Sequence, residues 1–396
     1  MLAQRTSLLS GSGTADARAA AKAAAESGKE IVDLSAGEIL IEPPPSVREG
    51  AIKAIERGVN RYTESIGMEE LRQAIARKVS LETGGIWDTS EIAVTSGAKQ
   101  ALLDAALILL NPGDEVIIPR PCWPTFPAQV TLAGARPVFV DTAAPTYQPS
   151  IDDIRAAVTS ATKAIIINSP NNPTGAVYGR ELLADIVELA VRYDLWVVSD
   201  ECYDSFVFDP NGRASIVNVH NRARPRTLLV NAFSKQLALT GWRLGYLAAP
   251  REIISTAKKL HSHTTSNPNV IAQHAVLHHL ETTDGTWERN LRSRLGLARS
   301  RGLEILARLK DVPPPVAQGG FFFYLDLSRV RARIAARGEA MTVDQISREL
   351  LRRTGVGSVA GSSFGDASGL RFSFGAPLEQ LEPALRRAVS MLNSLG

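Results

Sequence analysis

Residues 91–119 read EIAVTSGAKQALLDAALILLNPGDEVIIP, and this stretch decides the fold class of the chain. It holds a short apolar strand, an amphipathic segment of helix length and a second apolar strand, separated by turn residues. The same alternation continues through the apolar segments RPVFVD (136–141), KAIIIN (163–168), LWVVSD (195–200) and TLLVNAF (227–233). Short apolar strands that alternate with helices favour an α/β fold, with a largely parallel sheet covered by helices on both faces.

The composition is that of an ordinary soluble globular protein, with 44% hydrophobic and 21% charged residues among 396. The net charge of +3 and the lack of a long basic block give no electrostatic footprint for nucleic acid or membrane. Two cysteines, Cys122 and Cys202, suffice for neither a disulfide framework nor a metal cluster. Since the N-terminus also lacks an apolar signal core, we expect a cytoplasmic protein.

The length and a change of pattern near residue 286 predict more than one domain, because single cores stop growing at roughly 250–300 residues. Beyond residue 286 come an arginine-rich helix and the aromatic strand FFFYLDL (321–327), typical of an α+β piece. We predict an N-terminal arm with part of the small domain over residues 1–44. A large domain would follow over residues 45–285, and a smaller α+β domain over residues 286–396.

Candidate functional residues follow the strands, and in a parallel sheet ligands bind at the carboxyl ends of the strands. Gly97, Ala98 and Lys99 open a helix after the first strand, where backbone N–H groups can bind a phosphate or simply form a turn. Trp123 stands in the loop after the next strand and can stack on a planar cofactor or merely pack. Asn172, in the turn NSPNNPTG (168–175), can offer an amide donor or serve only the turn.

Two further strand ends carry charged residues. Asp200 follows a buried strand, where its carboxylate either pairs with a cation or caps a helix, and the phenol of Tyr203 lies three residues on. Lys235 taken alone is most often a solvated surface lysine, but desolvation and a nearby cation such as Arg243 would make it a nucleophile. With Ser234 the set matches what pyridoxal phosphate requires: a lysine, an acid for the ring nitrogen, donors for the ring oxygen and phosphate anchors.

These residues resemble the class I and II aminotransferases of fold type I, the aspartate aminotransferase family, over nearly the whole chain. The motifs that carry the resemblance are DLSAGE (33–38), RYTESIGMEELRQAI (61–75), SGAKQAL (96–102), NSPNNPTG (168–175), SDECY (199–203), NAFSKQLALTGWRLGY (231–246) and LRFSFG (370–375). The resemblance implies a mixed, mostly parallel seven-stranded sheet between helices in the large domain. It also implies pyridoxal 5′-phosphate as cofactor and a homodimer with shared active sites.

The resemblance further implies a role for each residue. Lys235 would carry the cofactor covalently and move a proton at the substrate Cα, while Asp200 would pair with the ring nitrogen. Asn172 and Tyr203 would bind the ring oxygen, and Trp123 would stack on the ring. The phosphate end would be held by Gly97, Ala98, Lys99, Ser234 and Arg243, and Tyr62 would reach the phosphate of the neighbouring subunit. The substrate would contact Gly37, Lys99, Trp123 and Asn172, with its α-carboxylate on Arg371.

The substrate itself stays open at this stage. SGAKQAL is similar to the bacterial subgroup of aspartate and prephenate aminotransferases, in which a lysine at position 99 can meet a distal carboxylate. The family's GEPDF-type stretch, however, reads GEILIE at residues 37–42, and Ala232 stands where relatives carry a serine. We predict transfer of an amino group from an L-amino acid, dicarboxylic or specialised, to a 2-oxo acid.

Two alternative functions accompany this prediction, together with one possible metal site. The same cofactor supports elimination, decarboxylation or oxidation of an amino acid, and the altered segment 37–42 would suit such an enzyme. A non-catalytic, aminotransferase-like sensor would need a DNA-binding domain before the fold, and we expect none because the arm of the fold itself begins almost at Met1. His274 and His278 have helical i,i+4 spacing but lack a third ligand, so we predict no metal site.

Overall fold

The structure is a computed structural model, and it describes residues 4–9, 11–209 and 212–395. Its helices are α1 (Gln4–Ser7), α2 (Gly13–Glu26), α3 (Pro45–Glu56), α4 (Glu69–Thr83), α5 (Ala98–Leu109), α6 (Thr125–Leu132), α7 (Ile151–Ala156), α8 (Arg180–Arg192), α9 (Phe233–Gln236), α10 (Arg251–His263), α11 (Val270–Thr282), α12 (Thr286–Leu306), α13 (Ser328–Ala335), α14 (Val343–Thr354) and α15 (Leu378–Ser394). Its strands are β1 (Val32–Asp33), β2 (Ile92–Thr95), β3 (Glu115–Arg120), β4 (Arg136–Asp141), β5 (Thr162–Asn168), β6 (Trp196–Asp200), β7 (Thr227–Ala232), β8 (Gly245–Ala248), β9 (Phe322–Asp326), β10 (Val356–Gly357), β11 (Val359–Ala360) and β12 (Gly369–Ser373).

A seven-stranded sheet in the order β2-β8-β7-β6-β5-β3-β4 forms the centre of the molecule. Strands β3 to β7 run parallel to their neighbours, whereas β8 lies antiparallel between β2 and β7. The predicted fold class, an α/β fold with a mixed, mostly parallel seven-stranded sheet, is therefore confirmed. Strand β8 was not predicted from the alternation, because it spans only four residues and follows a glycine-containing turn instead of a helix.

The central strands are apolar throughout because helices bury both of their faces. On β5, Ile166 packs with Val198 and Val230 in one cluster, while Ile165 and Ile167 pack in another cluster on the opposite face. This two-residue alternation is the strand period, and each buried side chain contributes about 1.5–3 kcal/mol through the hydrophobic effect. Packing on both faces fixes the register of the sheet, and hence the positions of the residues at the strand ends.

The C-terminal part contributes a second sheet with the order β11-β12-β9, and β1 pairs in parallel with β10. The pairing of Val32 with Val356 places a piece of the N-terminal segment beside the C-terminal strands. The boundaries at residues 44 and 285 stay predictions. Over the described ranges, no helix is both long enough and apolar enough to cross a membrane.

Candidate active site

A cavity of about 600 Å³ opens at the carboxyl ends of the parallel strands. Its floor is formed by the ends of β5, β6 and β7, which place Asn168, Asp200 and Ala232 side by side. The C-terminal strand β12 supplies Arg371 from the opposite side, and helix α2 borders the mouth. Because parallel strands end at one edge, residues far apart in the chain meet in this cavity.

Lys235 lies in the short helix α9, directly after the buried strand β7. Its Nζ donates a hydrogen bond of 2.5 Å to the carbonyl oxygen of Gly37, so the amine points across the cavity. Desolvation lowers the pKa of Lys235 to about 8, and the positive charges of Arg371 and Arg243 act in the same direction. A lysine with this pKa is neutral in part near physiological pH, as a nucleophile or general base requires.

Asp200 ends strand β6 and is only 4% exposed. Its Oδ1 accepts a hydrogen bond of 3.1 Å from the backbone N–H of Cys202. Among the described residues, Asp200 takes part in no ion pair, and burial raises the pKa of its carboxyl to about 6. A buried carboxylate without a cationic partner is costly, so this side chain is set up to meet a positively charged or proton-bearing group in the cavity.

Asn168 and Asn172 hold the turn that borders Asp200. Asn168 donates from Nδ2 to the backbone carbonyl of Asp200 at 3.0 Å, and its Oδ1 accepts from the backbone N–H of Asn172 at 2.8 Å. The turn therefore spans the ends of β5 and β6 and fixes the amide of Asn172 in the cavity.

Arg371 lies on β12 and is 2% exposed. Its Nη1 donates to Asn172 Oδ1 and its Nη2 to the carbonyl of Ser35, both at 2.7 Å, while Nε has no hydrogen-bond partner. The rings of Phe322 and Phe364 lie 4.5 Å and 4.9 Å from the guanidinium carbon. Burial lowers the pKa of Arg371 to about 10, so a carboxylate entering the cavity would gain a rigid, poorly solvated partner.

The opposite end of the cavity is built for an anion. Gly97 has a φ of 80° and directly precedes helix α5, whose first residues Ala98 and Lys99 line the cavity. The N–H groups in the first turn of a helix have no partner within the helix and can bind an anion. Arg243 reaches over Gly97 and donates from Nη2 to the carbonyl of Ser96 at 3.3 Å. Helix N–H groups and an adjacent guanidinium could together hold a phosphate group.

Most of the residues predicted from the sequence meet in this cavity. Those that line it are Gly37, Ala98, Lys99, Trp123, Asn172, Asp200, Tyr203, Ser234, Lys235, Arg243 and Arg371. Gly97 lies directly beneath the guanidinium of Arg243. Tyr62 is 89% exposed and does not line the cavity of its own chain, so its assignment to the neighbouring subunit stays a prediction.

The cavity also contains residues that the sequence reasoning missed. Helix α2 contributes Thr14 and Arg18, and Arg18 forms a two-bonded ion pair with Glu38. The cysteine that follows Glu201, Cys202, lies on the floor. The sequence did contain a feature that could have identified Arg18 as a candidate. It is one of two basic residues in the otherwise alanine-rich segment DARAAAKAAAES (16–27). His274 and His278 lie elsewhere, and the described residues contain no group of three potential metal ligands.

The side chains that line the cavity determine which kinds of molecule it can bind. A desolvated amine, a buried carboxylate and a buried guanidinium face one cavity, next to an anion-binding helix terminus. A planar carbonyl compound with a protonated ring nitrogen and a phosphate fits the amine, the carboxylate and the helix terminus. The guanidinium is then left for the carboxylate of an amino acid.

Comparisons with known proteins agree with this geometry. A family model described as "Aminotransferase class I and II" matches residues 29–387. The chain is 35% identical to a probable aspartate/prephenate aminotransferase of Aquifex aeolicus, and the match covers 100% of the chain and 99% of the relative. It is 37% identical to an aspartate/prephenate aminotransferase of Cereibacter sphaeroides, and that match covers 93% of the chain and 92% of the relative. Among solved structures it is similar to the aspartate aminotransferases of Thermus thermophilus, determined with maleate (TM-score 0.90, 34% identity, 99% of both chains), and Rhizobium meliloti (TM-score 0.93, 31% identity, 100% of both chains).

Proposed function

The chain belongs to the class I and II aminotransferase family and is an aminotransferase, and we propose that it uses pyridoxal 5′-phosphate to transfer the amino group of a dicarboxylic L-amino acid to a 2-oxo acid. The observation that carries the proposal is the buried, ion-pair-free Asp200 opposite Lys235, with its pKa raised to about 6 by burial. An unpaired buried carboxylate destabilises the protein, and a protonated ring nitrogen would relieve that cost.

The residues of the cavity fit the cofactor at three points. Asp200 would hold the proton of the ring nitrogen, and Trp123 borders the volume where the ring would lie. The N–H groups at the start of α5, together with Ser234 and Arg243, would hold the phosphate. When bound, the cofactor supplies an electron-accepting ring that stabilises the charge left when the bond from Cα to hydrogen breaks.

The remaining steps belong to side chains of the protein. Arg371 binds the α-carboxylate of the amino acid with its fork, which its bonds to Asn172 and Ser35 hold in place. This orients the substrate so that Cα faces Lys235. Lys235 Nζ, with a pKa of about 8, then takes the proton from Cα, and burial keeps water away from it.

The dicarboxylic substrate class is supported by two observations. The relatives named above are aspartate or aspartate/prephenate aminotransferases, and the cavity has more cationic than anionic side chains along its lining. The cations are Arg18, Lys99, Lys235, Arg243 and Arg371, and the anions are Glu38 and Asp200. A substrate with two carboxylates suits that balance better than a neutral or cationic amino acid does.

We further propose a cytoplasmic homodimer in which Tyr62 completes the site of the neighbouring subunit. The exposure of Tyr62, 89%, supports this, because a phenol without a role in its own cavity is free to contact another chain. Size determination in solution, combined with cofactor titration of Tyr62→Phe, tests the shared site.

The test of the function follows the cofactor spectrum of purified protein mixed with single amino acids. L-Aspartate should convert the cofactor to its pyridoxamine form, and a 2-oxo acid should reverse the change. Release of ammonia without the pyridoxamine form would contradict transamination and favour elimination.

A further inference from the structure

Arg18 is a guanidinium at the cavity that the roles above leave unassigned. It lies on α2, where Thr14, Ala15 and Arg18 share the face that borders the cavity. Its Nη1 and Nη2 contact Oε1 and Oε2 of Glu38 at 3.0 Å and 3.2 Å, a fork-to-fork pair. Glu38 directly follows Gly37, whose carbonyl accepts from Lys235, so the pair stands next to the reacting amine.

The ion pair between Arg18 and Glu38 can dissociate at little cost in stability. The side chains of Arg18 and Glu38 are 59% and 28% exposed, and exposed ion pairs contribute little to stability. The two backbones are nevertheless fixed. Leu40 donates its N–H to the carbonyl of Gly375 at 2.9 Å, and α2 packs so closely at Gly13 that a Cβ there would lie 2.1 Å from Ser363 Oγ. Arg18 can therefore change its partner while its helix stays at the mouth of the cavity.

The other two guanidinium groups of the cavity have fixed contacts elsewhere. Arg371 contacts the rings of Phe322 and Phe364 and donates to Asn172. Arg243 lies over Gly97. Lys99 stands 5.0 Å from the ring centre of Trp123 and faces the same cavity, so it can contact a distal carboxylate together with Arg18. Among the guanidinium groups of the described residues that line the cavity, Arg18 is thus the one paired with a carboxylate, the partly exposed Glu38.

We propose that Arg18 is a specificity-determining residue, which binds the side-chain carboxylate of a dicarboxylic substrate after that carboxylate replaces Glu38 on its guanidinium. The inference rests on the proposed function and names the residue behind its substrate class. The exchange substitutes one bidentate carboxylate for another, so Arg18 retains both hydrogen bonds. When a dicarboxylic substrate binds, the side chain of Glu38 turns to solvent. When a neutral substrate binds, Glu38 stays in place and remains paired with Arg18.

The test compares L-aspartate with L-alanine in single-turnover reactions of the holoenzyme, followed by the cofactor spectrum. Arg18→Ala should lower the ratio of the aspartate to the alanine rate constant about tenfold, because two charge-assisted hydrogen bonds are lost. Glu38→Gln should raise the ratio, because the substrate carboxylate no longer competes with an anion. Lys22→Ala, on the same helix but 77% exposed and away from the cavity, is the matched control and should leave the ratio unchanged.

A second variant separates charge from helix placement. Gly13→Ala displaces α2 from Ser363 without altering a charge, and should change both rate constants by the same factor. If Arg18→Ala behaves like Gly13→Ala, or if Glu38→Gln lowers the ratio as Arg18→Ala does, Arg18 only tethers the helix and the inference is wrong. A wild-type protein that reacts with neither amino acid would instead refute the proposed function, and the inference with it.

Discussion

Arg371 donates a hydrogen bond of 2.7 Å from Nη1 to Oδ1 of Asn172, a residue 199 positions away in the chain. The bond joins β12 of the C-terminal part to the turn after β5 of the central sheet. It therefore couples the proposed binding of the α-carboxylate to an asparagine that lines the cavity proposed for the cofactor. The position of the substrate depends on both parts of the molecule.

Replacement of Arg371 by lysine tests this coupling. Arg371→Lys keeps the positive charge but loses the bidentate fork, the bond to Asn172 and the stacking between Phe322 and Phe364. We expect kcat/KM for both the amino acid and the 2-oxo acid to fall about a hundredfold, mainly through KM. Steady-state kinetics measure this, with the exposed Arg329→Lys as control. An unchanged KM for both substrates in the cofactor-loaded variant would show that Arg371 does not bind the substrate carboxylate.

Asp200→Asn should stabilise the cofactor-free protein while it abolishes activity. The pKa of the buried carboxyl is raised from 3.8 to about 6, so the burial of its charge costs stability fully above pH 6 and not at all below 3.8. Above pH 6 the variant should gain up to about 3 kcal/mol in the free energy of unfolding, and the gain should shrink as the pH falls. Denaturant unfolding of both proteins at several pH values gives the difference.

The control for this prediction is Asp185→Asn on the exposed face of α8. Its effect should stay within about 0.5 kcal/mol at every pH. A gain for Asp200→Asn that does not vary with pH would mean that the carboxylate is not held in a desolvated site.

The amine of Lys235 should have a pKa far below that of an ordinary lysine. Desolvation lowers its pKa from 10.5 to about 8, so its reactivity in the cofactor-free protein should rise with pH and level off above that value. Labelling with an amine-specific acylating reagent, followed by mass spectrometry of the peptide, reports the neutral fraction. The exposed Lys22 in the same sample is the internal control for delivery of the reagent. Labelling of Lys235 that still climbs well above pH 8 would refute the desolvated site.

Two features require a glycine at position 97: its positive φ and the closeness of the Arg243 guanidinium. Its φ is 80°, and a Cβ there would lie 2.6 Å from Nη2 of Arg243. Gly97→Ala should therefore weaken cofactor binding about tenfold or more, since both backbone strain and displacement of Arg243 disturb the anion site. Gly113→Ala is the matched control, because that glycine has a φ of 93° with no atom within 4 Å of its Cβ position. Equal cofactor affinity in the two variants would exclude the contact with Arg243 as the cause.

Much of this site was predictable because it obeys a topological rule. Asp200, Asn172 and Lys235 each follow an apolar strand, and strand ends of a parallel sheet converge whatever the helices do. The strands could be located because burial on both faces leaves continuous apolar runs such as KAIII (163–167).

The place of Arg18 at the cavity and the strand β8 could not be predicted from the sequence. Helix α2 is predictable from its alanines, but its place at the cavity depends on contacts with Glu38 and Ser363, which are distant in the chain. Strand β8 is short and antiparallel, so it breaks the alternation that identified its neighbours. The proposed role of Tyr62 requires a second chain, and its exposure in one chain does not test that role.

The most direct test of the account is the exchange of the Cα proton of L-aspartate with deuterium oxide, followed by proton NMR. If Lys235 Nζ moves this proton, the wild-type holoenzyme should exchange it for deuterium. Lys235→Ala reconstituted with cofactor should exchange it about 10²–10⁴ times more slowly. The exposed Lys259→Ala is the control and should exchange like the wild type. Exchange by Lys235→Ala at the wild-type rate would contradict the account.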